Sequence, residues 1–97
     1  MANWESTRIN LGTLKEGEVV NFSFIATRKL EGVSFEKGCG SCTTIVNFDG
    51  YELKVKYKAE VVPPQVEGIW KPNKWIVAHY QDGSSETLYF LPLIEKK

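Results

Sequence analysis

Two cysteines and one histidine are the sulfur and imidazole groups that this 97-residue chain offers for chemistry. Cys39 and Cys42 form a Cys-Gly-Ser-Cys segment, which admits three uses. In a thioredoxin-type site the first cysteine caps a helix whose N-terminus lowers its pKa. Here Thr43-Thr44-Ile45-Val46 follows, and that β-branched run does not supply such a helix. A zinc site needs about four ligands. Two cysteines and His79 cannot close one within a single chain, although a symmetric interface could. The remaining use is a tight turn with reduced thiols or a local disulfide, contributing at most about 2 kcal/mol.

His79 sits in Lys74-Trp75-Ile76-Val77-Ala78-His79-Tyr80, a short strand-like run, in parity with Trp75 and Val77. That places it at or near the surface rather than in a ligand cluster. No Gly-x-Ser-x-Gly elbow accompanies it. Gly38-Cys39-Gly40 lacks the helix that a phosphate loop requires. The expectation is no catalytic, cofactor-binding or metal-binding residue, and no enzyme.

Aromatic and cationic side chains offer contact chemistry instead. Gly68-Ile69-Trp70-Lys71-Pro72-Asn73-Lys74-Trp75 gathers two tryptophans and two lysines around a Pro72-Asn73 turn. Trp anchors interfaces and lysine stems stack against it. Trp70, Lys71 and Lys74 are therefore candidate interface residues, while Trp75 is expected to open a strand and fill the core. Trp4, in a polar amino-terminal stretch, is the third kind of candidate: an exposed anchor on a free arm that orders against another chain. Lys54, Lys56 and Lys58 line one face of a strand between Glu52 and Glu60, as a solvated surface or a patch for an acidic partner.

These side chains must be carried by strands. No long stretch repeats apolar residues at helical spacing. From Tyr51 to Val61 every odd position is apolar and every even one charged, the period of a strand with one packed face. Val20, Phe22, Phe24 and Ala26 alternate likewise. Further strands are expected over 7–11, 32–36, 43–48, 75–80 and 86–91, about seven in all at the spacing of a β-sandwich. Asp49-Gly50 and Asp82-Gly83 are hairpin turns, the first with positive φ expected at both residues. Pro63-Pro64 ends the long strand, and Pro92 should end the last one or place it at an edge.

The length allows one domain with one core. Twelve Lys and Arg balance twelve Asp and Glu, which argues against a nucleic-acid module. No apolar run nears the roughly 18 residues of a membrane span. The opening residues lack the apolar core of a secretory signal, so synthesis in the cytoplasm is the expectation.

Ile9-Asn10-Leu11-Gly12-Thr13-Leu14-Lys15-Glu16-Gly17-Glu18-Val19-Val20 resembles the opening of the ASH/major-sperm-protein-like group of immunoglobulin-like domains. Gly38-Cys39-Gly40-Ser41-Cys42-Thr43 stands where a cysteine-bearing bacterial and phage branch carries a similar segment. The branch usually has Pro-Gly where this chain has Asp49-Gly50. The resemblance implies an all-β, immunoglobulin-like β-sandwich over residues 9–94, preceded by an arm over residues 1–8.

It also implies a non-enzymatic structural or interaction protein, with protein partners in a larger assembly and several copies of itself. The specific expectation is a small bacteriophage virion component (capsid decoration, neck, tail or baseplate), located in the virion. The alternatives are a cytoplasmic or exported bacterial module that binds a protein or peptide by strand addition, and a thiol or metal protein using Cys39 and Cys42.

Overall fold

The computed structural model describes residues 3–38 and 42–97, and Cys39 lies outside the described residues. Eight strands run in order among them: β1 (Arg8–Lys15), β2 (Val19–Ile25), β3 (Ser34–Lys37), β4 (Thr43–Phe48), β5 (Glu52–Lys58), β6 (Ile69–Trp70), β7 (Lys74–His79) and β8 (Ser85–Glu95). They form two sheets. One is ordered β1-β8-β7-β3, with β6 also on β8; the other is β2-β5-β4. All pairings are antiparallel except β1 on β8. The architecture is a β-sandwich.

Alternation dictates what lies between the sheets. Leu53, Val55 and Tyr57 from β5 face Ile76 and Ala78 from β7 and Leu88, Phe90 and Ile94 from β8, all at most 1% exposed. Phe22 and Tyr57 each pack on the Phe90 ring across the gap, at 5.1 and 5.4 Å between centroids. The expected eleven-residue strand is shorter than its alternation. Tyr51 and Val61 lie beyond its ends and are exposed.

The amino-terminal stretch is not a free arm. Trp4 bridges to Ala26, and the Glu5 amide donates to the Ile25 carbonyl while the Thr27 amide donates to that of Asn3. These residues therefore cover one end of the β2 edge, and β1 then crosses to the opposite sheet. Trp4 is 2% exposed, with its ring against Phe35 of β3 and Phe48 of β4. Its indole Nε1 donates to the Tyr80 hydroxyl at 2.8 Å, which donates to Glu86 at 2.7 Å. The expectation of an exposed Trp4 fails because the two sheets leave an opening at this end that only a large ring fills.

Pro92 neither ends a strand nor lies at an edge. β8 continues to Glu95 between β1 and β7. The β7 ladder stops at the Lys74–Phe90 pair and the β6 ladder begins at Trp70–Ile94. Residues 91–93 have no ladder partner on that side, and β1 bulges between Asn10 and Gly12 opposite Pro92. A missing amide donor is harmless in such a gap.

The β4–β5 turn also differs from expectation: Gly50 has φ of 100°, and among the described residues no non-glycine has positive φ. Asp49 stabilises the turn instead through its side chain, accepting the amides of Tyr51 and Glu52 at 2.9 and 2.7 Å. Those amides hold its carboxyl below the ordinary 3.8. The Ser84 hydroxyl and amide lower Asp82 in the same way.

Removing the Trp4 ring should create a cavity between the sheets. Trp4→Ala should destabilise the isolated domain by about 3–5 kcal/mol in denaturant unfolding, and Tyr80→Phe by about 1 kcal/mol. The turn carboxylates favour the fold above the unfolded carboxylate pKa, and that contribution disappears as pH falls through their lowered native values. Stability followed by thermal melting below pH of about 4 should therefore decline less steeply in Asp49→Asn than in the parent chain.

Candidate binding face

The side chains that β7 and β8 do not bury form a second surface on the outside of the larger sheet. Parity sends Trp75, Val77 and His79 outward from β7, and Thr87, Tyr89, Leu91 and Leu93 outward from β8. Trp75 is 40% exposed, so it does not fill the core as expected. Its neighbour Ile76, at 0%, takes that place, because a strand entering at Lys74 points even positions inward.

The register lines up four residues across this face. Arg8 pairs with Tyr89, Tyr89 pairs with Trp75, and the Gly38 amide donates to the Trp75 carbonyl at 3.0 Å. Gly38 has a specific steric role. A methyl group there would meet three indole atoms of Trp75 at 2.5, 2.7 and 2.8 Å. The ring therefore lies over the glycine, one face covered and the other toward solvent. On the opposite side the Arg8 guanidinium lies 5.2 Å from the Tyr89 centroid, a cation–π contact. Indole, phenol and guanidinium thus stand in one row across the sheet.

Two hollows that share Asn73 lie on this face, and only the first touches the row, at Trp75 and Tyr89. One, of about 300 Å³, is lined by Asn73, Trp75, Thr87 and Tyr89. The other, of about 320 Å³, is lined by Asn10, Gly12, Lys71, Pro72, Asn73, Leu91, Pro92 and Leu93. Asn73 belongs to both, so together they make a groove along β8. Sequence reasoning missed Trp75, Tyr89 and Arg8 as surface partners, because their grouping depends on the β1–β8 and β7–β8 registers.

The expected interface residues separate. Lys71 is exposed on the groove rim. Trp70 is half-buried against the core edge. The Lys74 ammonium lies 5.9 Å from the Trp70 ring but is committed to the Glu60 carboxylate at 2.7 Å, with only 13% of its side chain exposed. Glu60 also accepts the Tyr57 hydroxyl at 2.9 Å. Burial first, and that carboxylate second, push the Tyr57 hydroxyl pKa up. This cluster is a strut joining β5 to β7, not a free surface. Trp4 lies at the opposite end of β7, in the core.

Cys42 is buried and disulfide-bonded, and its carbonyl accepts the Lys58 amide at 2.9 Å. His79 Nε2 lies 3.0 Å from Glu36 Oε1. Ser34 and Ser85 flank His79 in register, but among the described residues neither hydroxyl bonds to the ring. No group of three or more His, Cys, Asp or Glu placed to hold a metal occurs among the described residues.

No family model and no curated protein matches this sequence. Solved structures share its fold. An endo-fucoidan hydrolase from glycoside hydrolase family 107 superposes with a TM-score of 0.59 at 16% identity, over 97% of this chain and 13% of that one. The chain thus spans only a small part of that enzyme. The BIgI domain of beta protein from S. agalactiae, solved bound to CEACAM1, superposes at 0.54 and 16% identity, over 91% of this chain and 90% of that domain. The fold is an immunoglobulin-like sandwich.

The geometry makes Gly38 the residue that seats Trp75. Gly38→Ala should cost at most about 1 kcal/mol of stability, since the indole can swing toward solvent. The Trp75 indole N–H resonance should nevertheless move clearly from its native position. An unmoved resonance in a folded variant would show that the ring does not rest on the glycine.

Proposed function

We propose that this chain is a non-enzymatic interaction protein that docks onto protein partners through the outer face of its larger sheet. The observation that carries this reading is the row of exposed Trp75 and Arg8 with half-buried Tyr89 between them. Trp, Tyr and Arg are the residue types that dominate binding energy at protein interfaces, because each pairs a large rigid contact area with a polar group. Their prearrangement on paired strands reduces the ordering cost of association.

The sheet edges support docking by the face rather than by strand addition. β1 and β4 are bulged, β3 has four residues, and residues 3–5 cover one end of β2. Short, bulged or covered edges discourage pairing with another chain. The narrower form of the proposal, from the sequence resemblance, is a multi-copy virion component held in a protein assembly.

The test is the double variant Trp75→Ala with Tyr89→Ala. The variant should stay folded, losing about 1–3 kcal/mol of stability because Tyr89 is half-buried on a central strand. On gradient sedimentation of lysates from producing cells, the parent chain should appear in large-particle fractions and the double variant at monomer size. A variant that still enters the particles, or a parent chain found only as monomer, overturns the proposal.

A further inference from the structure

Lining chemistry restricts what the groove along β8 can hold. Its aromatic half, between Trp75 and Tyr89, offers ring surface, with the Asn73 amide and the Thr87 hydroxyl beside it. Its second half is aliphatic, lined by the side chains of Pro72, Leu91 and Leu93, with Asn10 and Asn73 at its margins. Pro92 borders it too, but its ring is buried in the core. A sugar could stack on the first half, but it has no aliphatic branch to fill the second. A polypeptide supplies both kinds of group.

Spacing agrees. The outward residues Thr87, Tyr89, Leu91 and Leu93 repeat every second position, so they span roughly 20 Å at about 3.3 Å per residue. An extended peptide laid along the groove repeats with the same period, so alternate side chains fall into successive hollows.

Charge sets the sign of the occupant. Arg8 stands at the aromatic end and Lys71 at the aliphatic end. Neither forms an ion pair among the described residues, whereas Lys15, Lys29 and Lys74 each face a glutamate. No Asp or Glu lines either hollow among the described residues. Two unmatched cations flanking a carboxylate-free groove complement an acidic ligand.

We infer that the groove binds an extended peptide segment of a protein partner, with apolar side chains at alternate positions and carboxylates between or beside them. This inference rests on the docking face proposed above and names the chemistry of what docks there. In the bound state an aromatic or proline side chain sits between Trp75 and Tyr89, an aliphatic one between Pro72 and Leu91, and carboxylates meet Arg8 and Lys71.

The test uses fluorescence anisotropy with a labelled synthetic peptide of about eight residues that alternates leucine or proline with glutamate. Controls are the same peptide with lysine for glutamate, and labelled dextran and dextran sulfate. The glutamate peptide should bind at least about tenfold more tightly than its lysine counterpart. Trp75→Ala should weaken it by about tenfold or more, and Arg8→Glu should remove or reverse the charge preference while the domain stays folded. Absence of peptide binding, or binding indifferent to Trp75→Ala, overturns the inference. Trp75-dependent binding of dextran sulfate without peptide binding also overturns it and assigns the face to acidic glycans. If no probe binds yet the parent chain still enters particles in a Trp75-dependent way, this inference fails and the docking face stands.

Discussion

Trp4 closes the sandwich. Its ring touches Phe35 from one sheet and Phe48 from the other, while its backbone extends the edge of β2. One residue therefore joins the amino-terminal segment to both layers. Its N–H is satisfied by Tyr80, whose hydroxyl shares Glu86 with the Asn3 amide, and Asn3 in turn accepts from Arg28. An unpaired indole N–H at 2% exposure would cost the desolvation of that group. The chain of hydrogen bonds removes that cost and fixes the ring's orientation. β1 can lie parallel to β8 because the segment before it is already anchored at the other sheet.

At the opposite end the sheets are held differently. Lys74 and Tyr57 converge on Glu60, a partly buried pair shielded by Trp70. Breaking one member would leave the other desolvated without a partner, which is why such clusters hold geometry even where their net energy is small. The consequence for function is indirect. With Lys74 held inward, the strand that follows must present Trp75 outward.

That parity separates the two tryptophans that flank the Pro72-Asn73 turn. Trp70 supports the core edge, and Trp75 lies on the outer surface over Gly38. A residue with any side chain at position 38 would lift the ring, so the flatness of this face depends on a glycine at the end of an edge strand. The row from Gly38 to Arg8 crosses four strands and involves segments separated by most of the chain. It exists only when all four are in register.

Local physics was legible in the residues themselves. The alternation in β2 and β5, the limits of β4, the turn residues Asp49-Gly50 and Asp82-Gly83, and the all-β class follow from side-chain period and turn chemistry, which operate over a few neighbours. What stayed hidden depends on distant pairs. Trp4 reads as exposed because its polar neighbours say nothing of the opening between Phe35 and Phe48. Trp75 reads as core because composition cannot tell which parity β7 adopts. Pro92 reads as a strand end because neither the break between β6 and β7 nor the β1 bulge is written near it. The periodicity decided which residues share a face; only the packing of the two sheets decided which face is inside, and so which aromatic rings remain free to meet a partner.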